Sequence, residues 1–375
     1  MSTRISTAGQ PFQAAPQHAW FRRLMAWARG NLFPTPFDAA LNLVIVALFA
    51  WLVASMLPWA LLDATWSGGS RADCTGTGAC WAFVLSRLDQ FIYGFYPAAE
   101  RWRVNLAGTV LILGLAALLI RAVPGKRVTG LLMLLVYPPF AFWLLKGGFL
   151  GLTGVQTDRW GGLMLTLVVG VSGIVLSFPI GVALALGRRS DLPVFHGLSV
   201  LFIELWRGLP MVTVLFMAIV MLPYFLPAGM KLDSLGLAIA GIVMFQSACL
   251  AEIVKGGLQA VPKGQYEAAK ALGFGYWRTS VYIVLPQAIR IVIPGLVNNS
   301  IALLKDTTLV MVVGLFDLLN IVAAGSSDPR WLGSATEGYI FVGLVFWTLC
   351  FAMSRYSHRL EHSLRSRRQR LGGVS

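Results

Sequence analysis

The segment Ala251-Glu-Ile-Val-Lys-Gly-Gly-Leu-Gln-Ala-Val-Pro-Lys-Gly-Gln-Tyr-Glu-Ala-Ala-Lys-Ala-Leu-Gly-Phe-Gly275, continued by Tyr276 to Leu285 and Pro286, lies between two long apolar runs that begin near Leu235 and Ala288. It reads as a short helix, a glycine stop and a second short helix ended by proline. Pro262 suits a helix start, where a missing N–H costs little. Glu267 to Leu272 are strong helix formers, and Gly273 can take the left-handed conformation that ends a helix. Ala268, Ala269 and Ala271 leave the first helix nearly bare. Such a helix can enter a partner's groove closely, with Glu267 and Lys270 giving the contact polar register. A helical hairpin with no partner has the same periodicity.

Working outward, the flanking runs recur along the chain. Apolar stretches long enough to cross a hydrocarbon core, which takes about 20 helical residues, begin near Phe37, Val104, Val128, Gly161, Leu198, Leu235, Ala288 and Glu337. The fold class expected is all-α and polytopic, with about eight transmembrane helices. Composition agrees: 57% of the 375 residues are hydrophobic and 12% charged, where soluble domains carry about 25% charged residues. The first 36 residues are polar and contain proline, and the apolar run after them is too long for a cleavable signal.

The net charge of +14 would also fit a nucleic-acid binder, so the placement of the charges decides. With a cytoplasmic N-terminus, 20 basic residues fall in cytoplasmic segments and 8 in external ones, and Arg207 and Lys305 lie inside spans. That asymmetry satisfies the positive-inside rule with both termini cytoplasmic. Anionic membrane lipid is then the expected partner of the basic excess, and nucleic acid is not. Of the four cysteines, Cys249 and Cys350 fall inside spans as small apolar residues. Cys74 and Cys80 sit in a predicted external loop, where a disulfide is permitted.

The segments expected are 1–36, cytoplasmic; 37–156, an accessory module of three spans with an external loop; 157–356, a core of five spans with the polar loop at about 259–286; and 357–375, a basic cytoplasmic tail. Charges within the spans are costly and therefore informative. Glu204 and Arg207, three apart, share a helix face and can pair, as a structural pair or a gate. Pro210 breaks or kinks that span. Asn298, Asn299 and Ser300 lie about 15 Å into the seventh span, with Lys305 and Asp306 about 26 Å along. Gln246 and Ser247 of the sixth span reach a comparable depth. Gln246, Asn298, Asn299, Lys305 and Asp306 are thus pathway candidates, able to meet the ammonium and carboxylate of a zwitterion; bonding between neighbouring helices accounts for them equally.

The run Glu267-Ala-Ala-Lys-Ala-Leu-Gly273, about a dozen residues before Leu285-Pro-Gln-Ala288, resembles the EAA loop of ABC importer permeases. Glu252-Ile-Val-Lys-Gly-Gly257, Val261-Pro-Lys-Gly-Gln265 and Leu304-Lys-Asp-Thr-Thr-Leu309 are similar to the polar amino-acid branch of that family. The resemblance covers roughly residues 157 to 356. It implies a five-helix permease core whose loop, through Glu267, Ala268, Ala269 and Gly273, docks on cytoplasmic ATPase subunits. It further implies a second related permease, a periplasmic amino-acid-binding protein and a place in the bacterial inner membrane. Val214 stands where many members carry Gln. With the extra leading spans, this resembles the larger M-type permease of general L-amino-acid systems.

No GxxxxGK[ST] phosphate loop occurs, so no bound cofactor and no enzymatic activity are expected, with ATP used by a partner subunit. His358-Arg-Leu-Glu-His362 matches the HxxEH metalloprotease pattern literally. It sits among arginines near the chain end with no further ligand after it, so no metal site is expected. An ion-coupled secondary amino-acid transporter is the alternative, because Lys305 and Asp306 would suit ion exchange. The absence of an internal repeat and the loop stand against it.

Overall fold

The computed structural model describes residues 27, 30, 31, 33–120, 122–149, 151–225, 227 and 233–372. Of the expected N-terminal segment, residues 1–26 lie outside the described residues, as do Arg29, Arg121 and Lys231. Helices dominate: α1 (Pro36–Leu62), α2 (Ala98–Leu119), α3 (Val128–Lys146), α4 (Gly162–Gly187), α5 (Pro193–Arg207), α6 (Met211–Phe225), α7 (Ser234–Ala260), α8 (Lys263–Ala271), α9 (Tyr276–Val313) and α10 (Ala335–Gly372). Seven of these are long and apolar enough to cross a membrane. The expected fifth span is instead the pair α5 and α6, bent by 104°. Pro210 causes the break, since it has no N–H to donate and restricts the residue before it.

The core is apolar, as in a soluble protein, but the surface is apolar as well and a few polar side chains lie inside. Thr166, Ser177, Gln246, Ser247 and Thr307 are buried, while Leu201, Leu344 and Trp347 face outward. Lipid is an apolar solvent, so an exposed leucine costs nothing there, whereas hydroxyls and amides must find partners inside. The Ser247 hydroxyl lies 2.6 Å from the Val243 carbonyl and 3.3 Å from the Ser177 carbonyl, joining α7 to α4.

By packing, the chain forms two units, one of residues 1–65 and 75–79 and one of 66–74 and 80–375. The division drawn at residue 157 from sequence is therefore not a division in packing. In the larger unit Ala107, Tyr137 and Leu144 of α2 and α3 share a buried cluster with Leu165 of α4, Leu215 of α6, Ile242 of α7 and Leu303 of α9. In the smaller unit, Thr35 caps α1 by accepting the Asp38 N–H at 3.1 Å, and none of the residues of α1 is buried.

α4 and α7 approach closely at Gly181, where an added Cβ would stand 2.7 Å from the Leu250 Cβ and 3.0 Å from the Ser247 carbonyl oxygen. Gly181→Val is expected to force the helices apart at a cost of about 1–3 kcal/mol, read as a lower melting temperature in detergent.

One end of the larger unit, opposite the polar loop, is stitched by short contacts. Gly94 bridges to Trp160, Gly161 to Phe316 and Gly162 to Asp317. Asp317 is fully buried and accepts the Leu319 and Asn320 N–H groups; burial raises its pKa. Arg87 pairs with Asp328, whose carboxyl is held well below the usual range, chiefly by the Arg330 side chain hydrogen-bonded to it. Cys74 and Cys80 form a disulfide there, and the Cys80 N–H donates to buried Glu337 at 2.9 Å. Closing so short a loop restricts the unfolded chain by about 2 kcal/mol. Cys74→Ser with Cys80→Ser should lower the melting temperature by a few degrees while leaving the other helices intact, a shift readable by thermal unfolding of the purified protein.

Candidate transport and coupling sites

The polar loop is built on the end of α7, which continues as helix to Ala260. Val261 is extended, Pro262 caps the next helix, and α8 follows. Gly273 has φ +77° and donates its N–H to the Lys270 carbonyl at 3.0 Å, while the Phe274 N–H reaches the Ala269 carbonyl at 3.0 Å. These two bonds make a Schellman ending, in which the left-handed residue is normally glycine.

Tyr266 anchors the helix. Its hydroxyl donates to the Leu258 carbonyl at 2.9 Å and accepts from Arg189 Nη1 at 2.8 Å. The Arg189 guanidinium lies 5.2 Å from the ring centre and donates also to the Leu258 carbonyl at 3.0 Å. Glu267, Ala268 and Lys270 are exposed, and around them Leu272 is 76% exposed, with Phe274, Trp277 and Tyr282 open as well. The arrangement is a fixed helix with a polar face and an apolar fringe.

Two expectations for this loop need correction. Ala269 is 2% exposed and faces its own chain, so it is packing and not a contact surface; of the expected docking residues, Glu267, Ala268 and Gly273 are the open ones. Nor does Pro286 end a helix. Between Thr279 and Val284 the backbone loosens into a π turn, with the Leu285 N–H bonded to the Ser280 carbonyl, and Pro286 then enters the first turn of a new α-helical stretch, where no N–H is missed. α9 thus runs on as one helix.

Among the pathway candidates, Gln246 is buried on α7, with its Nε2 3.5 Å from the backbone carbonyl of Asn299 on α9. Gln246 and Ser300 line a cavity of about 110 Å³ together with Phe178 and Leu250. The Asn299 Nδ2 is buried without a partner. Asn298 and Lys305 are exposed. Seven residues apart, they share a different face of α9, one that includes exposed Gly295 and Ala302. Asp306 is half-buried, and neither it nor Lys305 has an ion-pair partner among the described residues. Four of the five candidates therefore form two groups, Gln246 with Asn299 inside the chain and Asn298 with Lys305 on an open face, while Asp306 is half-buried beside Lys305.

Glu204 and Arg207 do not pair with each other. Glu204 lies 3.1 Å from Arg188 and Arg207 lies 3.8 Å from Glu252. Arg188 pairs also with Glu252, which Lys255 approaches to 3.2 Å. Helical spacing permitted the local pair, but the ends of α4 and α7 offer both side chains closer opposite charges. Arg188 and Glu252 were not singled out as site residues from sequence; the signal available was Glu252 within a membrane-length helix, at the head of the Glu252–Gly257 motif.

The family described as binding-protein-dependent transport system inner membrane component matches residues 177–366. The inner membrane amino-acid ABC transporter permease protein YhdY of Escherichia coli is 49% identical over 339 residues, covering 90% of this chain and 92% of that protein. The glutamate/glutamine/aspartate/asparagine transport system permease protein BztC of Rhodobacter capsulatus is 39% identical over 408 residues, covering 90% and 93%. The probable glutamine ABC transporter permease protein GlnP of Bacillus subtilis is 34% identical over 205 residues, which are 54% of this chain but 91% of that protein.

Proposed function

The chain belongs to the binding-protein-dependent transport system inner membrane components, a multi-pass inner-membrane permease and not in itself an enzyme, and from that premise we propose that it carries L-amino acids into the cytoplasm as one half of an ATP-driven importer. The observation that most supports this substrate class is the similarity to amino-acid permeases over nine-tenths of the chain. In this reading residues 157–356 are the transport core and the leading spans an accessory module; the family match to residues 177–366 supports that division, and the shorter glutamine permease, which about half of this chain covers, agrees with a core of that size.

The loop end faces the cytoplasm, as do both termini, in keeping with Arg188, Arg189, Lys263, Lys270 and Arg278 at that end. Exposed Glu267 and Ala268 on α8, with the fringe of Leu272, Phe274 and Trp277, meet a groove of a cytoplasmic ATPase subunit. That subunit binds and hydrolyses the ATP, since this chain carries no phosphate loop and binds no cofactor of its own. A second, related permease covers the open face of α9, so that Asn298, Lys305 and Asp306 border the route between the subunits, with Gln246 and Asn299 behind them. An external amino-acid-binding protein delivers substrate to the opposite end.

Co-purification tests the assembly: the tagged chain in detergent should retain an ATPase subunit and a second permease, and Glu267→Lys should release the ATPase while keeping the permease. A wild-type chain that purifies alone from cells expressing all the partners would contradict it.

A further inference from the structure

Away from the loop and the pathway residues, the densest group of charges in the spanning region converges on Glu252. It lies on α7, two helical turns before that helix ends. Its Oε1 accepts from Arg188, just past the end of α4, and its Oε2 lies 3.2 Å from Lys255 and 3.8 Å from Arg207, the last residue of α5. Arg188 also lies 3.1 Å from Glu204 on α5. Three cations thus surround two carboxylates, and one carboxylate ties three helices together.

Two features make this more than a packing contact. Arg207 stands immediately before the break at Gly208 to Pro210, where the chain turns by 104°. Pro210 donates no hydrogen bond, so side-chain contacts hold the end of α5. The contact to Arg207 is the longest in the group and Arg207 is 41% exposed, which makes it the first to open. Second, the neighbour of Arg188 is Arg189, whose guanidinium binds the Leu258 carbonyl and the Tyr266 hydroxyl of the loop. Adjacent arginines therefore link the loop helix on one side and Glu252 on the other.

We infer that Glu252 is a positioning residue for transport: through Arg188 and Arg207 it holds the broken pair α5 and α6 against α7, and displacement of the loop helix releases Arg207 so that the break can swing. This rests on the importer reading. Docking of the ATPase moves α8, Arg189 follows Tyr266, Arg188 shifts against Glu252, and the weakest contact yields. Glu252 touches no substrate in this scheme; it sets the conformation from which uptake proceeds.

The test uses the complete importer in lipid vesicles with its ATPase and binding protein, comparing wild type with Glu252→Gln, Arg207→Gln, the double variant and Glu252→Asp. Glu252→Gln and Arg207→Gln are each expected to raise ATP hydrolysis without binding protein about threefold and to lower the uptake kcat about tenfold, with KM within about twofold. The double variant should be no worse than Glu252→Gln alone, because the one ion pair that Arg207→Gln removes is already lost in Glu252→Gln. Glu252→Asp, which keeps the charge, should recover most of the coupling. Wild-type hydrolysis and uptake in Glu252→Gln would overturn the inference. So would effects that multiply in the double variant, or a loss of thermal stability in Glu252→Gln that accounts for its lost uptake. A wild-type complex without ATP-dependent uptake would instead refute the importer reading itself, and the role of Glu252 with it.

Discussion

Gly273→Pro is expected to leave the protein inserted in the membrane at near wild-type amounts and to reduce ATP-driven uptake about tenfold or more, equivalent to a loss of at least about 1.4 kcal/mol of coupling. Gly273 has φ +77° and donates to the Lys270 carbonyl. Proline fixes φ near −65° and has no N–H, so both the turn and the bond are lost. The seven membrane-length helices and the broken pair do not depend on that turn, and an added Cβ at Gly273 would meet nothing within 4 Å. The damage is therefore to the aim of α8: with its ending undone, Glu267, Ala268 and the fringe at Leu272 and Phe274 no longer present one surface. Glu267→Lys approaches the same surface without backbone strain, since that side chain is exposed, and should separate ATP hydrolysis from uptake in the same direction. The measurement is uptake and hydrolysis side by side in vesicles. Normal uptake by either correctly inserted variant would count against docking through this loop.

The second large effect is expected at Lys305 and Asp306. A charge in the hydrocarbon core costs about 2.5 to 3.5 kcal/mol on insertion scales, and these two residues have no ion-pair partner among those described. Lys305 shares the open face of α9 with Asn298, Gly295 and Ala302. In a bilayer such a face needs either a protein partner or a water-lined route, and small residues beside polar ones suit both. Lys305→Met and Asp306→Asn should each lower uptake about tenfold while the complex assembles and the binding protein keeps its affinity for amino acids. Unchanged transport in both variants would remove them from the route and leave bonding between the subunits as their role.

Much of this architecture is written locally. Each long apolar run becomes a helix because its backbone must be satisfied within the segment in lipid, so the spans and the break at Pro210 are legible from composition and one proline. Pro262 and Gly273 are equally local, since each acts through its own φ. What escaped reading depends on neighbours remote in sequence. The spacing of Glu204 and Arg207 allows them to meet, but Arg188 and Glu252 are brought beside them only when α4 and α7 pack. Asn298 and Asn299 are adjacent, so they point about 100° apart on a helix of 3.6 residues per turn. Which one turns inward is settled by α7, where Gln246 receives the Asn299 side. Ala269 reads like Ala268 until Tyr266 and Arg189 fix the rotation of α8. Pro286 reads as a stop because a π turn that admits it has no simple sequence signature. The disulfide needed only two cysteines in an external loop, and the structure supplies their proximity.

Import is tested most directly by uptake of labelled L-amino acids into vesicles containing this chain with its partner permease and ATPase, measured with and without ATP and with and without the binding protein. Accumulation is expected only when ATP and the binding protein are both present, and none with this chain alone under an ion gradient. Uptake by the chain alone, driven by the gradient and indifferent to ATP, would contradict ATP-driven import and establish an ion-coupled transporter in its place.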